Sequence, residues 1–204
     1  MKTIIFGGML LLLLLAPAWG MPEPQQQVEE MVNSVLSVLQ KPDLTAAEKR
    51  TQVSGMVQKY LNMSSMARRT LGEYWNSASE EQRKKFTDLF VKVLEGTYLN
   101  RINDYSGGTV QYLKQRVKGD KAIIDTKFVS ADLEIPVQYK MIFENGSWEV
   151  FDVVIDGVSL IRNYRSSYGE IIRKDGYDGL FALMEKKVSD MQPTEQPLAP
   201  QLNQ

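Results

Sequence analysis

Neither cysteine nor histidine occurs in the 204 residues. Without cysteine there is no disulfide, so a chain sent to an oxidising compartment must hold its shape through its core alone. Without either residue the usual zinc sites are excluded, together with the Ser-His-Asp triad and Cys-His nucleophiles. An excess of positive charge is missing as well. Against 24 Lys and Arg stand 25 Asp and Glu, interspersed, for a formal net charge of -1. A general nucleic-acid binder would carry a strong basic excess, so that class is set aside. A phosphate-binding glycine loop is also lacking. Gly107-Gly108 has no G-x-x-x-x-G-K-[ST] context, and no ATPase motif occurs elsewhere.

What is present begins with a targeting pattern. Lys2 precedes an apolar stretch from Ile4 to Leu15, and small residues occupy positions 18 and 20 (Ala18, Gly20). A basic start, a short apolar core and small residues at the cleavage positions predict a secretory signal peptide over 1–20. The apolar run falls short of the ~20 residues of a membrane span. The competing reading is an uncleaved interfacial anchor. No cysteine follows, which excludes a lipoprotein. The expectation is a mature chain from about Met21, soluble in the periplasm. Residues 21–188 are of single-domain size, and the Pro/Gln-rich residues 189–204 read as a disordered tail.

Helical periodicity fills the first half. Met21 to Gln27 reads as a frayed lead-in. Val28, Met31, Val32, Val35, Leu36 and Leu39 then form one stripe. Thr45-Ala46-Ala47-Glu48 is a capping-box pattern that opens a second helix bearing Val53, Met56, Val57 and Tyr60. A shorter helix spans Met63 to Leu71 and stops near Gly72. Ser79-Glu80-Glu81-Gln82 opens the strongest helix, with Phe86, Leu89, Phe90, Val93, Leu94, Thr97, Tyr98 and Ile102 on one face.

After Gly107-Gly108 the period becomes two. Strands are predicted over Thr109–Lys118 and Lys121–Ser130, joined at Gly119-Asp120. A third runs from Leu133 to Phe143, with Pro136 suiting an edge or a bulge. It turns at Asn145-Gly146 into a fourth, Trp148–Ile155. At ~3.3 Å per residue the third strand could reach about 36 Å, long enough to require a bent sheet. Two more helices follow Asp156, the second from Gly176 to Val188. Helices, then a meander, then helices define an α+β fold: a bent four-stranded antiparallel sheet covered by helices.

The most informative run is Trp148-Glu149-Val150-Phe151-Asp152-Val153-Val154-Ile155-Asp156-Gly157-Val158-Ser159-Leu160, followed by Asn163-Tyr164-Arg165. It resembles the ending of the MlaC-like periplasmic phospholipid-binding proteins, also called the toluene-tolerance family. Leu71-Gly72, Tyr74-Trp75, Gln82, Phe86, Phe90 and Thr97-Tyr98 are similar to the family's helical segment. Val137 and Tyr139 fit its sheet, and Gly176, Asp178, Gly179 and Leu180 its final helix. No single motif is decisive; their order and spacing together are specific. The resemblance implies a nuclear-transport-factor-like cone with extra helices around an apolar cavity. It implies phospholipid as cargo, with no cofactor and no enzymatic activity. It also implies two partners, an inner-membrane ABC transporter with an MCE protein and an outer-membrane lipoprotein–porin complex, acting together to protect outer-membrane lipid asymmetry.

On that basis the expected cavity wall comprises Leu71, Trp75, Phe90, Leu94, Tyr98, Val137, Tyr139, Met141, Val150 and Val154. Tyr74, Tyr105 and Tyr164 are further aromatic candidates. All of them could equally be ordinary core, since apolar stripes normally mean packing. Alternation places Asp152 on the face of Trp148, Val150 and Val154. It is then either the general base of a small cone-fold enzyme, with a Tyr as oxyanion donor, or a structural carboxylate paired with a Tyr hydroxyl, Arg162 or Arg165. Asp156 reads as the N-cap of the following helix. Arg68-Arg69, Lys84-Lys85 and Arg162 to Arg165 are basic spots able to meet lipid phosphate or to form solvated helix faces. A lipid-free periplasmic adaptor with a filled core is the remaining alternative.

Overall fold

The computed structural model describes residues 22–100, 107–131 and 133–191. The segment read as a signal peptide, Ile102, Tyr105 and positions 192–204 lie outside them. Five helices come first: α1 (Pro24–Leu39), α2 (Ala46–Tyr60), α3 (Met63–Leu71), α4 (Tyr74–Ser77) and α5 (Glu80–Tyr98). Strands β1 (Thr109–Lys118), β2 (Lys121–Val129), β3 (Glu134–Glu144), β4 (Ser147–Ile155) and β5 (Val158–Ser159) follow, then α6 (Leu160–Met191). A backbone break at Gly176, with φ 71° and ψ -171°, divides α6 in two. No helix among the described residues is long and apolar enough to cross a membrane.

Both capping boxes form. Thr45 Oγ1 accepts from Glu48 N at 3.3 Å and Glu48 Oε2 accepts from Thr45 N at 2.8 Å. Ser79 Oγ accepts from Gln82 N at 3.1 Å and Gln82 Oε1 accepts from Ser79 N at 2.9 Å. Helix α1 starts before Val28, so residues 24–27 of the expected frayed lead-in form a helical turn. Pro24 suits a first turn, whose N–H groups have no intrahelical partner. The glutamines find tertiary partners: Gln25 N donates to Gln115 Oε1 at 2.9 Å, and Gln27 donates to the Trp148 carbonyl. Trp148 Nε1 in turn donates to Pro22 O at 2.7 Å. At the other end, α6 carries helical structure through Ser189 to Met191, three residues into the segment read as tail.

The sheet has five strands in the order β1-β2-β3-β4-β5, not four, and every pair is antiparallel. The additional strand is two residues long, too short to leave a periodic signal. Asp156 and Gly157 have φ of 49° and 77°, the paired positive values of a type I′ hairpin turn. They bring Ser159 back opposite Val154. Asp156 is therefore a turn residue and not the helix cap. Ser159 does the capping, accepting from Arg162 N at 3.1 Å.

Strand β4 also carries a bulge. Lys140 pairs with Asp152 but Met141 pairs with Val150, leaving Phe151 unmatched. One extra residue reverses the facing of everything beyond it. Trp148 and Val150 face inward, and past the bulge Val153 and Ile155 do. Asp152 and Val154 therefore do not share the face of Trp148 and Val150, contrary to simple alternation.

Most of the core lies where α3, α5 and α6 meet the Trp148 end of the sheet. Phe86 and Phe90 stack at 5.6 Å, while Tyr168 and Tyr164 meet them edge-on at 5.9 and 5.5 Å. A separate small cluster, Val38, Leu39 and Val53 with Leu44, Met56, Val57 and Leu99, ties α1 to α2.

Candidate functional site

Between these two apolar bodies the molecule is hollow. A cavity of about 320 Å³ is bounded by α1, α2, the C-terminal part of α5 and the inner face of β1 to β4. Met31, Val32, Val35 and Leu36 come from α1, Val53 and Val57 from α2, and Leu94 and Tyr98 from α5. The sheet supplies Val110, Val137, Tyr139, Val153 and Ile155. The helical residues recur at three- and four-residue spacing and those of β3 and β4 at two, so each element turns one face inward.

Polar atoms are few and mostly accounted for. Thr126 Oγ1 donates to Val137 O at 2.9 Å. Burial holds the Tyr139 phenol well above its ordinary range, with a smaller contribution from Tyr112, so it stays neutral at physiological pH. Behind it the Tyr112 phenol is pushed up to about 12, by burial first and by the negative charge of Glu29 second. Ser54, Gln58 and Glu95 form a hydrogen-bonded group where α2 faces α5. Glu95 is the one carboxylate lining the cavity among the described residues, and no described Lys or Arg lines it.

Of the ten expected wall residues, Leu94, Tyr98, Val137 and Tyr139 line this cavity. The other six do not. Leu71, Phe90, Met141 and Val150 are buried in the solid core. The stripe of α5 is continuous, yet Phe90 points at Tyr164 while Leu94, one turn on, borders the cavity. Trp75 lies on the far side, where the Arg83 guanidinium stands 5.6 Å from its ring and Arg83 Nε donates to its carbonyl at 2.8 Å. Val154 is turned away by the Phe151 bulge, and Val153 takes its place. Of the further aromatic candidates, Tyr164 is core and Tyr74 packs against it. Sequence reasoning missed the contribution of α1 and α2. Their stripes are plain, but periodicity does not distinguish a side chain facing another from one facing space.

Asp152 is 4 % exposed and lies outside the cavity. Its carboxylate accepts from Lys140 Nζ at 2.9 Å, Ser159 Oγ at 2.8 Å and Ile161 N at 3.2 Å. These partners replace the expected Tyr, Arg162 or Arg165, and they place a negative charge at the positive end of α6. The pair of contacts to Ser159 and Ile161 fixes the β4–β5 turn to the helix start. The basic spots are also in use. Arg69 lies 4.2 Å over the Phe151 ring, Arg165 Nε donates to Arg69 O at 2.7 Å, and Lys84 and Lys85 pair with Asp88 and Glu185 at 2.9 Å each.

The fold and the cavity together define a class: an α+β domain hollowed between a sheet and a helical hairpin, with a lining suited to an apolar guest. The chain belongs to the MlaC protein family, whose model matches residues 29–186. Among curated relatives, it is 28% identical over 146 residues to the intermembrane phospholipid transport system binding protein MlaC of Haemophilus influenzae, covering 69% of this chain and 68% of that one. It is 27% identical over 109 residues to the toluene tolerance protein ttg2D of Pseudomonas putida, covering 52% of this chain and 50% of that one. Its fold matches a phospholipid-binding protein from Ralstonia solanacearum, solved with a phospholipid bound at 1.53 Å. The TM-score is 0.77 at 20% identity, covering 83% of this chain and 98% of the other.

Proposed function

We propose that the protein is a soluble periplasmic carrier of phospholipid and not an enzyme. The observation that carries this reading is the cavity itself, lined mainly by apolar side chains, with its one carboxylate among the described residues on the α2–α5 side. The H. influenzae relative's description and the phospholipid in the R. solanacearum structure support it.

The physics of the task matches the site. Each CH₂ moved out of water is worth ~0.8 kcal/mol, so two long acyl chains represent on the order of 20–25 kcal/mol. A lipid does not cross an aqueous gap unassisted against that figure. A carrier needs to match the bilayer as a solvent without beating it, and a dry apolar cavity does so with no specific contact to the tails. Lacking a nucleotide site, the chain takes its direction from partners. In this reading these are an inner-membrane ABC transporter with an MCE protein and an outer-membrane lipoprotein–porin complex, and the shuttle maintains outer-membrane lipid asymmetry. Asp152 supports the non-enzymatic part, since its carboxylate is committed to the start of α6 and has no access to the cavity.

Native mass spectrometry with lipid extraction, on protein purified from the periplasm, tests the reading. Phospholipid should co-purify in stoichiometric amount, and Asp152→Asn should carry it equally. Protein that is free of lipid and does not acquire it from vesicles would overturn the carrier.

A further inference from the structure

The polar group on the cavity wall has an arrangement that packing alone does not require. Ser54 and Gln58 stand one turn apart on α2 and both donate to the same oxygen of Glu95, Gln58 Nε2 at 2.8 Å. Gln58 also reaches Ser54 Oγ at 3.1 Å. Gln58 is exposed while its neighbour Val57 lines the cavity, so the chamber meets water along this seam. The second oxygen of Glu95 accepts no hydrogen bond from the described residues, and no described Lys or Arg forms an ion pair with it. Arg50 lies on the same side of α2, one turn before Ser54 and thus about 6 Å along the helix axis. Its Nη1 makes a long contact of 3.4 Å to Asn100 Oδ1.

The rim therefore presents an oriented carboxylate with one oxygen that no described residue engages, and a guanidinium one turn along α2 from Ser54. A guest whose tails fill the chamber through this seam puts its headgroup between them. An anionic headgroup would bring a second negative charge to Glu95. A zwitterionic one would set its phosphate toward Arg50 and its ammonium on the unengaged oxygen, a charge-assisted hydrogen bond. Resting on the carrier reading above, we infer that Glu95 is a specificity-determining residue that favours phospholipids with an ammonium-bearing headgroup over anionic ones.

The test loads the full chain from vesicles of equal phosphatidylethanolamine and phosphatidylglycerol with matched acyl chains, then counts the protein-bound lipids by mass spectrometry. Wild type should be enriched about 5-fold in phosphatidylethanolamine, the scale of one partly exposed charge-assisted bond. In Glu95→Gln the amide oxygen still accepts from Ser54 and Gln58 but the charge is gone, so the bound ratio should fall to within about 2-fold of the vesicle ratio. Should that variant not fold, the wild-type preference at ~1 M salt decides, because screening at a ~3 Å Debye length must shrink it. Wild type loading both lipids in the vesicle ratio, an undiminished preference in Glu95→Gln, or a preference indifferent to salt would each overturn the inference. Those results leave the carrier reading standing; absence of any lipid in wild type would remove both.

Discussion

The two halves of the molecule use the same residue types for opposite ends. Around Phe86, Phe90, Tyr164 and Tyr168 the aromatic side chains close on one another, and Phe86 and Phe90 are 0 % exposed. Around Leu36, Val57, Leu94 and Val137 equally apolar side chains face a gap. The difference lies in the covering elements. The solid half sits beneath α6, whose two segments bring Tyr168, Leu180 and Met184 down onto α5. The hollow half is roofed by α1 and α2, which pack on each other through Val38, Leu39 and Val53 and leave the space below unfilled. Hydrophobicity alone thus does not decide between a core and a container; the geometry of the second layer does.

Truncation is the strongest way to break that comparison. Phe90→Ala should destabilise the fold by about 3–5 kcal/mol, the cost of a large void in close-packed surroundings. Leu94→Ala, one turn along the same helix, should cost only about 2 kcal/mol, the low end for a buried leucine, because it widens a gap already there. Denaturant unfolding of both, with lipid removed, measures the contrast; equal losses would mean the two halves are packed alike.

Overfilling should reverse the order of effects on binding. Val137 and Met141 are four residues apart on β3, the first on the cavity and the second 0 % exposed in the core. Met141→Trp should cost about 1–3 kcal/mol of stability through overpacking. Val137→Trp should leave the melting temperature nearly unchanged and lower bound phospholipid severalfold. Lipid-to-protein ratio and thermal unfolding on both variants decide it.

The smallest effects concern the two capping boxes. Ser79→Ala loosens α5 of the solid half and Thr45→Ala loosens α2 of the hollow half, each at about 1 kcal/mol. Their reach should differ. Hydrogen exchange should rise through α1 and α2 alone in Thr45→Ala, and across α3, α5 and α6 in Ser79→Ala. A global rise in both would deny the hairpin its independence.

How far the sequence carried this picture varied by element. Both capping boxes, the hairpin turns at Gly119-Asp120 and Asn145-Gly146 and the first four strands were legible, because each leaves a local mark in residue type or period. Strand β5 was not, since two residues carry no period. The start of α1 was hidden because its glutamines are held by Gln115 and Trp148, distant in sequence. Val154 and Asp152 were assigned to the wrong face because a bulge at Phe151 is silent in composition. The wall residues divided for a similar reason. Leu94, Tyr98, Val137 and Tyr139 fell on the cavity, while Leu71, Trp75, Phe90, Met141 and Val150 did not, although all carry the same apolar signature. Which part of a stripe meets space depends on what roofs it, and that is a property of the assembled layers.

The modest size of the chamber has a consequence for any guest it takes. At about 320 Å³ it stands near the lower bound for ligand pockets of ~300–1,000 Å³, tight for a guest with two long tails. On the carrier reading, the width available to a second tail is set by how far α1 and α2 stand from the sheet. That makes the roof the adjustable wall, because it is fastened by its own small cluster of Val38, Leu39 and Val53 and not by the aromatic core.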